Sequence, residues 1–535
     1  MVKLPQSETK KLLAIHGWSG VLLGLLLYAV ICTGVAAVFE DEIKDWSSAL
    51  PTRAAAEFPA GLDAAMRRVA AETDPHFLHD LSIWPAGGGR LNLLFHTHET
   101  DAKGRPVERG VEYELDGNTM QTVARREGRL DDLGSARRSS ALADFLVELH
   151  VRLHLPNPYG LFLTGVLGLV MMIAAVTGFL IHRHLIKELF TLRRRRDRLL
   201  TARDAHVVAG TWNLPFAFIL AFTGSFFSFA SAFALPAMAM VAFGGDRDRM
   251  FETLIGRTVA EDSRAAAPAD LDAVLRDVRQ RAGEEPTFIS IEHYGRVDAA
   301  ITLFMEPKRG ELTPISYVYS GASGAFLQDK PLLGLQPSFG GQLYALIGPL
   351  HFGNFAGPLS KAVWFALGFA GAYVTLTGLL LWTQRRAGQP AWRRMGIVVH
   401  WVGYGLPLAL LACPYGYFIA VASGADAITA QAIAFLGVAA LTFAAVLLLR
   451  RHDAIQRAAL LASGAAMLGM PLLRLVCGGL GWSSALRAGI VVVPAVDLAL
   501  LSAALICLLL AARSIRSARA LPVREVRAAG WAPGA

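Results

Sequence analysis

Four histidines stand at matched places in this 535-residue chain. His16 opens HGWSGVLLGLLLYAVICTG and His206 opens HVVAGTWNLPFAFILAFTG; both read H-x3-G, and a Thr-Gly pair follows 17 residues after each His, at Thr33-Gly34 and Thr223-Gly224. His150, in ELHVRLHLPNPYG, precedes Thr177-Gly178 by 27 residues, and His351, in PLHFGNFAG, precedes Thr377-Gly378 by 26. Ionisable side chains at membrane depth are costly and usually functional. One imidazole at an interface is ordinary; four at repeated positions form a pattern. Neutral imidazole binds haem iron, and helix bundles build cofactor sites from side chains on facing helices. The pattern therefore predicts two haems b, their iron held by histidine alone: His16 with His206 in one layer, His351 with His150 in the other. Two imidazoles per iron close both axial positions, which suits electron transfer better than oxygen binding. His154, one turn beyond His150, is an alternative partner for His351. His182 and His400, at the ends of apolar runs, are spare ligands for the first layer. Zinc competes weakly, since it needs about four ligands and no H-E-x-x-H occurs. His76, His79, His96, His98 and His293 fall in polar segments, and HTH at 96–98 reads as the solvated face of a strand.

The elements that must position these residues are membrane helices. Mean hydropathy is +0.42, 54% of residues are hydrophobic and 18% are charged, against about 25% charged in an ordinary soluble domain. Eight apolar runs are long enough to cross a bilayer core, which needs about 20 residues of helix. The organisation read from them is helix 1 over 10–39, an outer domain over 40–148, helix 2 over 149–185, a basic loop over 186–205, helix 3 over 206–235, a second outer domain over 236–348, helix 4 over 349–386, a four-helix extension over 397–512 and a tail over 513–535. Lys and Arg concentrate in alternate short loops, RRRRDR at 193–198 above all. That asymmetry orients the chain with both termini cytoplasmic and both long polar segments outside. It also accounts for the net charge of +8 without a nucleic-acid partner; the partner is the lipid membrane. Cys32, Cys413, Cys477 and Cys507 lie in apolar runs with no C-x-x-C, which excludes thiol redox chemistry and a zinc ribbon. From His16 to Thr33 a helix rises roughly 26 Å, nearly the thickness of the bilayer core.

The order helix, outer domain, helix occurs twice. VTGFLIHRHL matches LTGLLLWTQRR at the helix ends, and LDAAMRRVAAE matches LDAVLRDVRQRAG at the outer-domain starts. Both of the latter have the apolar spacing of an amphipathic helix. FLHDLSIWP, RLNLLFHTH and GVEYELDG follow the first; FISIEHYG, DAAITLFME and ISYVYSGASGAF follow the second. All alternate as strands do. Each outer domain is then one helix and three or four strands.

The paired L-H before a T-G helix, the H-x3-G starts, and YELDG and YVYSGASG near the outer-domain ends resemble the PepSY-associated transmembrane helix family over about residues 10–388. The resemblance implies a helical membrane bundle carrying two periplasmic α+β PepSY-like domains, with the last four helices as an extension. It further implies an inner-membrane oxidoreductase that passes electrons to ferric siderophores in the periplasm. No flavin or dinucleotide segment occurs, so the donor is a quinol or a cytoplasmic reductase. Two other classes compete: a non-enzymatic PepSY docking or regulatory module, and a transporter of iron chelates. A docking module has no need for four matched imidazoles. Helices 1 to 4 hold almost no charge at mid-depth, unlike a carrier. Arg474, in the seventh apolar run, has no explanation in the sequence.

Overall fold

A computed structural model of the chain describes residues 5–519 apart from 49–57, 87–88, 101–105, 131–132, 134–139, 182–189, 191–197, 257 and 308–310. The chain divides into two compact units, one of residues 1–385 with 479–493 and one of 386–478 with the chain from 494 onward.

The first unit begins with α1 (Gln6–Ala37) and α2 (Glu40–Ser48). The first outer segment is α3 (Leu62–Ala71), β1 (Asp80–Pro85), β2 (Arg90–Thr100), β3 (Pro106–Asp116) and β4 (Thr122–Arg129). The return is α4 (Ala141–Arg152) and α5 (Tyr159–Ile181). Next, α6 (Arg198–Phe229) continues through a π-helical turn into α7 (Leu235–Phe243), followed by α8 (Arg247–Ile255). The second outer segment is α9 (Leu271–Ala282), β5 (Pro286–Glu292), β6 (Ala300–Met305), β7 (Ile315–Ser320) and β8 (Phe326–Pro331). It returns by α10 (Phe339–Phe352) and α11 (Gly357–Arg385).

The two outer segments are not separate domains. They share one eight-stranded antiparallel sheet of order β4-β3-β2-β1-β5-β6-β7-β8. The halves join through their first strands, with Leu81 opposite Ile291 and Ile83 opposite Ile289. An exposed strand edge is a row of unpaired N–H and C=O groups; pairing β1 with β5 removes one such edge from each half. The helix starts repeat the exchange. The backbone N–H of Leu271 donates to Asp63 and that of Gly61 donates to Asp272, both at 3.1 Å. The repeated L-D-A motif is thus a reciprocal cap, each half's Asp accepting N–H groups left over at the other half's helix start. Leu91, Leu93 and Phe95 of β2 and Ile289 and Ile291 of β5 point to one face, where α3 and α9 close a common core. Asn92, Leu94, His96 and His98 take the other face, since strand side chains alternate.

Below the sheet, α1 packs on α5 and α11, and α6 packs on the same two. The four helices form a ring with α1 and α6 across a diagonal. Small residues allow the close approach that membrane helices need: a Cβ on Gly371 would meet Asn213, and one on Gly168 would meet Ser225. Among the described residues, eight helices are long and apolar enough to cross a membrane.

Two predicted spans are interrupted. The stretch 149–185, expected as one helix, breaks between Arg152 and Tyr159; 349–386 breaks between Phe352 and Gly357. The first break follows from Pro156 and Pro158, which lack the N–H that helix propagation requires. Leu153 and Gly353 end the two short helices in the left-handed conformation, φ +54° and +66°. His150 and His351 therefore sit on short helices that cover the sheet-side ends of the bundle.

The second unit holds α12 (Pro390–Ser423), α13 (Ala427–Leu449) and α14 (His452–Val476); the chain then passes through α15 (Trp482–Arg487) into α16 (Val492–Arg519). Within this unit Trp401 Nε1 donates to the Ala439 carbonyl at 2.8 Å and Tyr415 Oη to that of Ala466 at 2.6 Å. Arg474 Nη2 pairs with Asp497 Oδ2 at 2.8 Å, both residues about 1% exposed. That pair accounts for the charge the sequence left unexplained.

Candidate functional site

The structure brings the four matched histidines together in two pairs. His16 on α1 and His206 on α6 face each other across the diagonal, ring centroids 6.4 Å apart and planes at 73°. On the sheet side, His150 on α4 and His351 on α10 stand 6.3 Å apart at 27°.

The Thr-Gly pairs explain how the rings are held. His16 Nδ1 lies 3.0 Å from the carbonyl of Ala174 and 3.3 Å from Thr177 Oγ1. His206 Nδ1 lies 3.0 Å from the Val374 carbonyl and 3.2 Å from Thr377 Oγ1. His150 Nδ1 lies 2.9 Å from the Val30 carbonyl and 3.4 Å from Thr33 Oγ1. His351 Nδ1 lies 2.9 Å from Thr223 Oγ1. In each case the glycine after the threonine is against the ring. A Cβ there would come within 3.3 Å of His16 Cε1 (Gly178), 3.1 Å of His206 Cε1 (Gly378), 2.8 Å of His150 Cε1 (Gly34) and 3.2 Å of His351 Cε1 (Gly224). A Thr-Gly pair is thus a receiver for an imidazole carried by another helix. The sequence showed the pattern but not this role, because donor and receiver lie more than 115 residues apart, as His150 and Thr33 do.

The receivers set the chemistry of the rings. A carbonyl only accepts, so the Nδ1 facing it carries the proton and Nε2 carries the lone pair. Thr223 donates its own hydroxyl proton to the Ile219 carbonyl at 2.8 Å, so it too accepts from the histidine. A metal-ligating imidazole shows this arrangement, its other nitrogen fixed by a hydrogen bond.

The spacing tests the cofactor. With iron–nitrogen bonds of about 2.0 Å and about 1.1 Å from nitrogen to ring centre, two imidazoles on one metal place their centroids about 6.3 Å apart. The observed 6.3 and 6.4 Å fit. Gly20, one turn above His16, has nothing within 4 Å of a Cβ position, whereas Gly17, Gly24 and Gly210 meet Trp382, Leu379 and Val374. Of the glycines near this layer, only Gly20 leaves room for a flat group; the others serve helix packing.

The alternates separate. His154 packs on Phe145 at 4.4 Å, and the spacing argument that set it on the face of His150 fails because the helix ends at Arg152. His182 lies outside the described residues. His400 belongs to the second unit, where its Nε2 and His452 Nδ1 are 2.9 Å apart. On β2, HTH at 96–98 has His98 exposed, His96 half-buried and Thr97 buried on the opposite face.

An uncharacterised protein of Pseudomonas aeruginosa is 29% identical over 259 residues, 46% of this chain. The match spans 64% of that relative's length. The family model described as the PepSY-associated TM region matches residues 13–385, from just before His16 to the end of α11. With four imidazole receivers in repeat positions inside that span, the chain is a multi-pass membrane protein that belongs to the PepSY-associated TM family.

Proposed function

We propose that this protein is an inner-membrane, two-haem electron-transfer protein that reduces ferric iron, presented as a ferric siderophore, on the periplasmic side. The observation that carries the reading is the fourfold receiver: four imidazoles, paired at 6.3 and 6.4 Å, each fixed through Nδ1. Haem b, when bound between such rings, supplies reversible one-electron transfer. His16 and His206 would hold one group, His150 and His351 the other. The threonines and carbonyls fix each ring, so ligation costs little reorganisation. Phe227 and Phe352 flank His351, each ring 5.4 Å away, and exclude water from the sheet-side layer. The Lys/Arg asymmetry of the loops puts the sheet on the periplasmic side. The substrate Fe(III) gains one electron and becomes Fe(II), a poorer match for the hard oxygen ligands of a siderophore. The electron comes from a quinol or a cytoplasmic reductase.

The test mixes the chemically reduced, haem-loaded full chain with a ferric siderophore and an Fe(II) trap. Haem reoxidation with trapped Fe(II) in wild type, lost in His351→Ala, is the expected result. Reduced wild-type protein that passes no electrons to any ferric siderophore would sink the reductase reading in favour of a docking module.

The receiver has its own test. Gly378→Val adds three carbons where even the first would lie 3.1 Å from His206 Cε1. Valine is tolerated in a membrane helix, so the effect falls on the ring. The variant is expected to lose about half of the b-type absorbance, as removal of one of two bis-histidine sites requires. Full absorbance would remove the receiver from the argument.

A further inference from the structure

The sheet carries a second histidine cluster, away from both membrane layers. His96 and His98, two apart on β2, share the face of the sheet opposite α3 and α9. Asp80 on β1 stands directly across from His96 in register. Imidazole nitrogens of His96 and His98 and a carboxylate oxygen of Asp80 all lie within 4.8 Å of one another. Among them, His98 Nε2 lies 3.6 Å from Asp80 Oδ2. Ligands about 2.1 Å from a tetrahedral metal are about 3.4 Å apart, so this pair is close to a ligating edge as it stands. His79, the residue before β1, brings Nδ1 to 3.0 Å from the same oxygen, and its ring is 6.2 Å from that of His98.

The carboxylate is aimed. Asp80 Oδ1 accepts the backbone N–H of His293 at 2.9 Å, which turns Oδ2 toward the imidazoles. The N–H comes from the end of β5, so the join between the two halves of the sheet fixes the orientation. The His293 ring, 5.3 Å from that of His79, is itself held by Asp298 at 3.2 Å. His96 adds an independent sign: its Nδ1 is buried with no hydrogen-bond partner among the described residues. A buried polar group left unsatisfied is costly, a cost that a ligand at the cluster would offset. His98, with 32% of its side chain exposed, leaves a path from solvent.

From this geometry we infer that Asp80, His96 and His98, with His79 as a fourth ligand, bind one divalent first-row transition ion of the Fe(II)–Zn(II) group. Imidazole with a single carboxylate selects such ions over Mg2+ and Ca2+, which take oxygen. Neither a haem nor electron transfer is needed for the site to fill, so it stands apart from the proposed reduction.

The experiment uses the full chain in detergent, stripped with a chelator and titrated with Zn(II), then with Co(II) as a spectroscopic probe. Wild type is expected to take up one equivalent in excess of any haem iron, with intense visible Co(II) bands of low coordination number. His98→Gln and His96→Gln are expected to weaken binding by at least about 10-fold, the lower end for changes even behind a metal's ligands. His76→Gln, a change at an exposed histidine paired with Glu99, keeps wild-type affinity. Circular dichroism and size-exclusion profiles check that the variants fold; His98 is exposed enough to change without loss of the core. Wild type taking no equivalent, or the same affinity in both cluster variants and the control, overturns the site.

Discussion

His206→Ala, purified in detergent, is expected to retain about half the wild-type haem, and His16→Ala the same half. His150→Ala and His351→Ala are expected to lose the other half, and His16→Ala with His351→Ala to lose nearly all. Each iron needs both imidazoles of its layer, and the two layers share no ligand. The measurement is a pyridine haemochrome assay with a reduced-minus-oxidised spectrum for each variant. Single variants that each lose all haem would mean one shared site; single variants that lose none would remove haem from the membrane layers. His154→Ala is expected to match wild type, because its ring packs on Phe145 and not on His351.

Arg474→Ala is expected to destabilise the second unit by about 3–5 kcal/mol, the cost of leaving a buried partner charge uncompensated. Arg474 and Asp497 are both about 1% exposed and pair at 2.8 Å, so Asp497 keeps its desolvation cost and loses its counter-ion. Replacing both, Arg474→Met with Asp497→Leu, is expected to restore most of the loss, since a buried ion pair exchanged for apolar residues of similar volume is often neutral. Thermal unfolding of the full chain in detergent, compared in a double-mutant cycle, measures both. A single variant as stable as wild type would mean that water reaches the pair.

The helices and strands were legible because their periods are strong. All eight apolar runs are helices, and the strands fall where alternation placed them. What pairs with what was less legible, since it rests on contacts distant in sequence. Nothing in FLHDLSIWP announces that Leu81 lies opposite Ile291, so two domains were expected where one sheet exists. The choice between His150 and His154 turned on where a helix ends, and helix ends are the least certain part of a periodic pattern. The matched histidines were visible as a repeat, and so was the spacing of the Thr-Gly pairs, but not that each pair holds a ring carried by another helix. HTH read as a strand face because its third ligand, Asp80, comes from a neighbouring strand and its aim from His293 in the other half.

Helices α1 and α6 each carry an imidazole near one end and a receiver for the opposite layer near the other, 17 residues along. Each is therefore a measuring rod as well as a support. Sliding either along its axis would detune both layers at once, and inserting or deleting one residue between His and Thr would swing one end by about 100° about the axis. Substitutions along the intervening stretch that keep it apolar leave this measure intact, whereas a single-residue change in its length does not. Length between the two motifs, more than the identity of what lies between them, is what a duplicated copy of this unit must preserve to keep both layers in register.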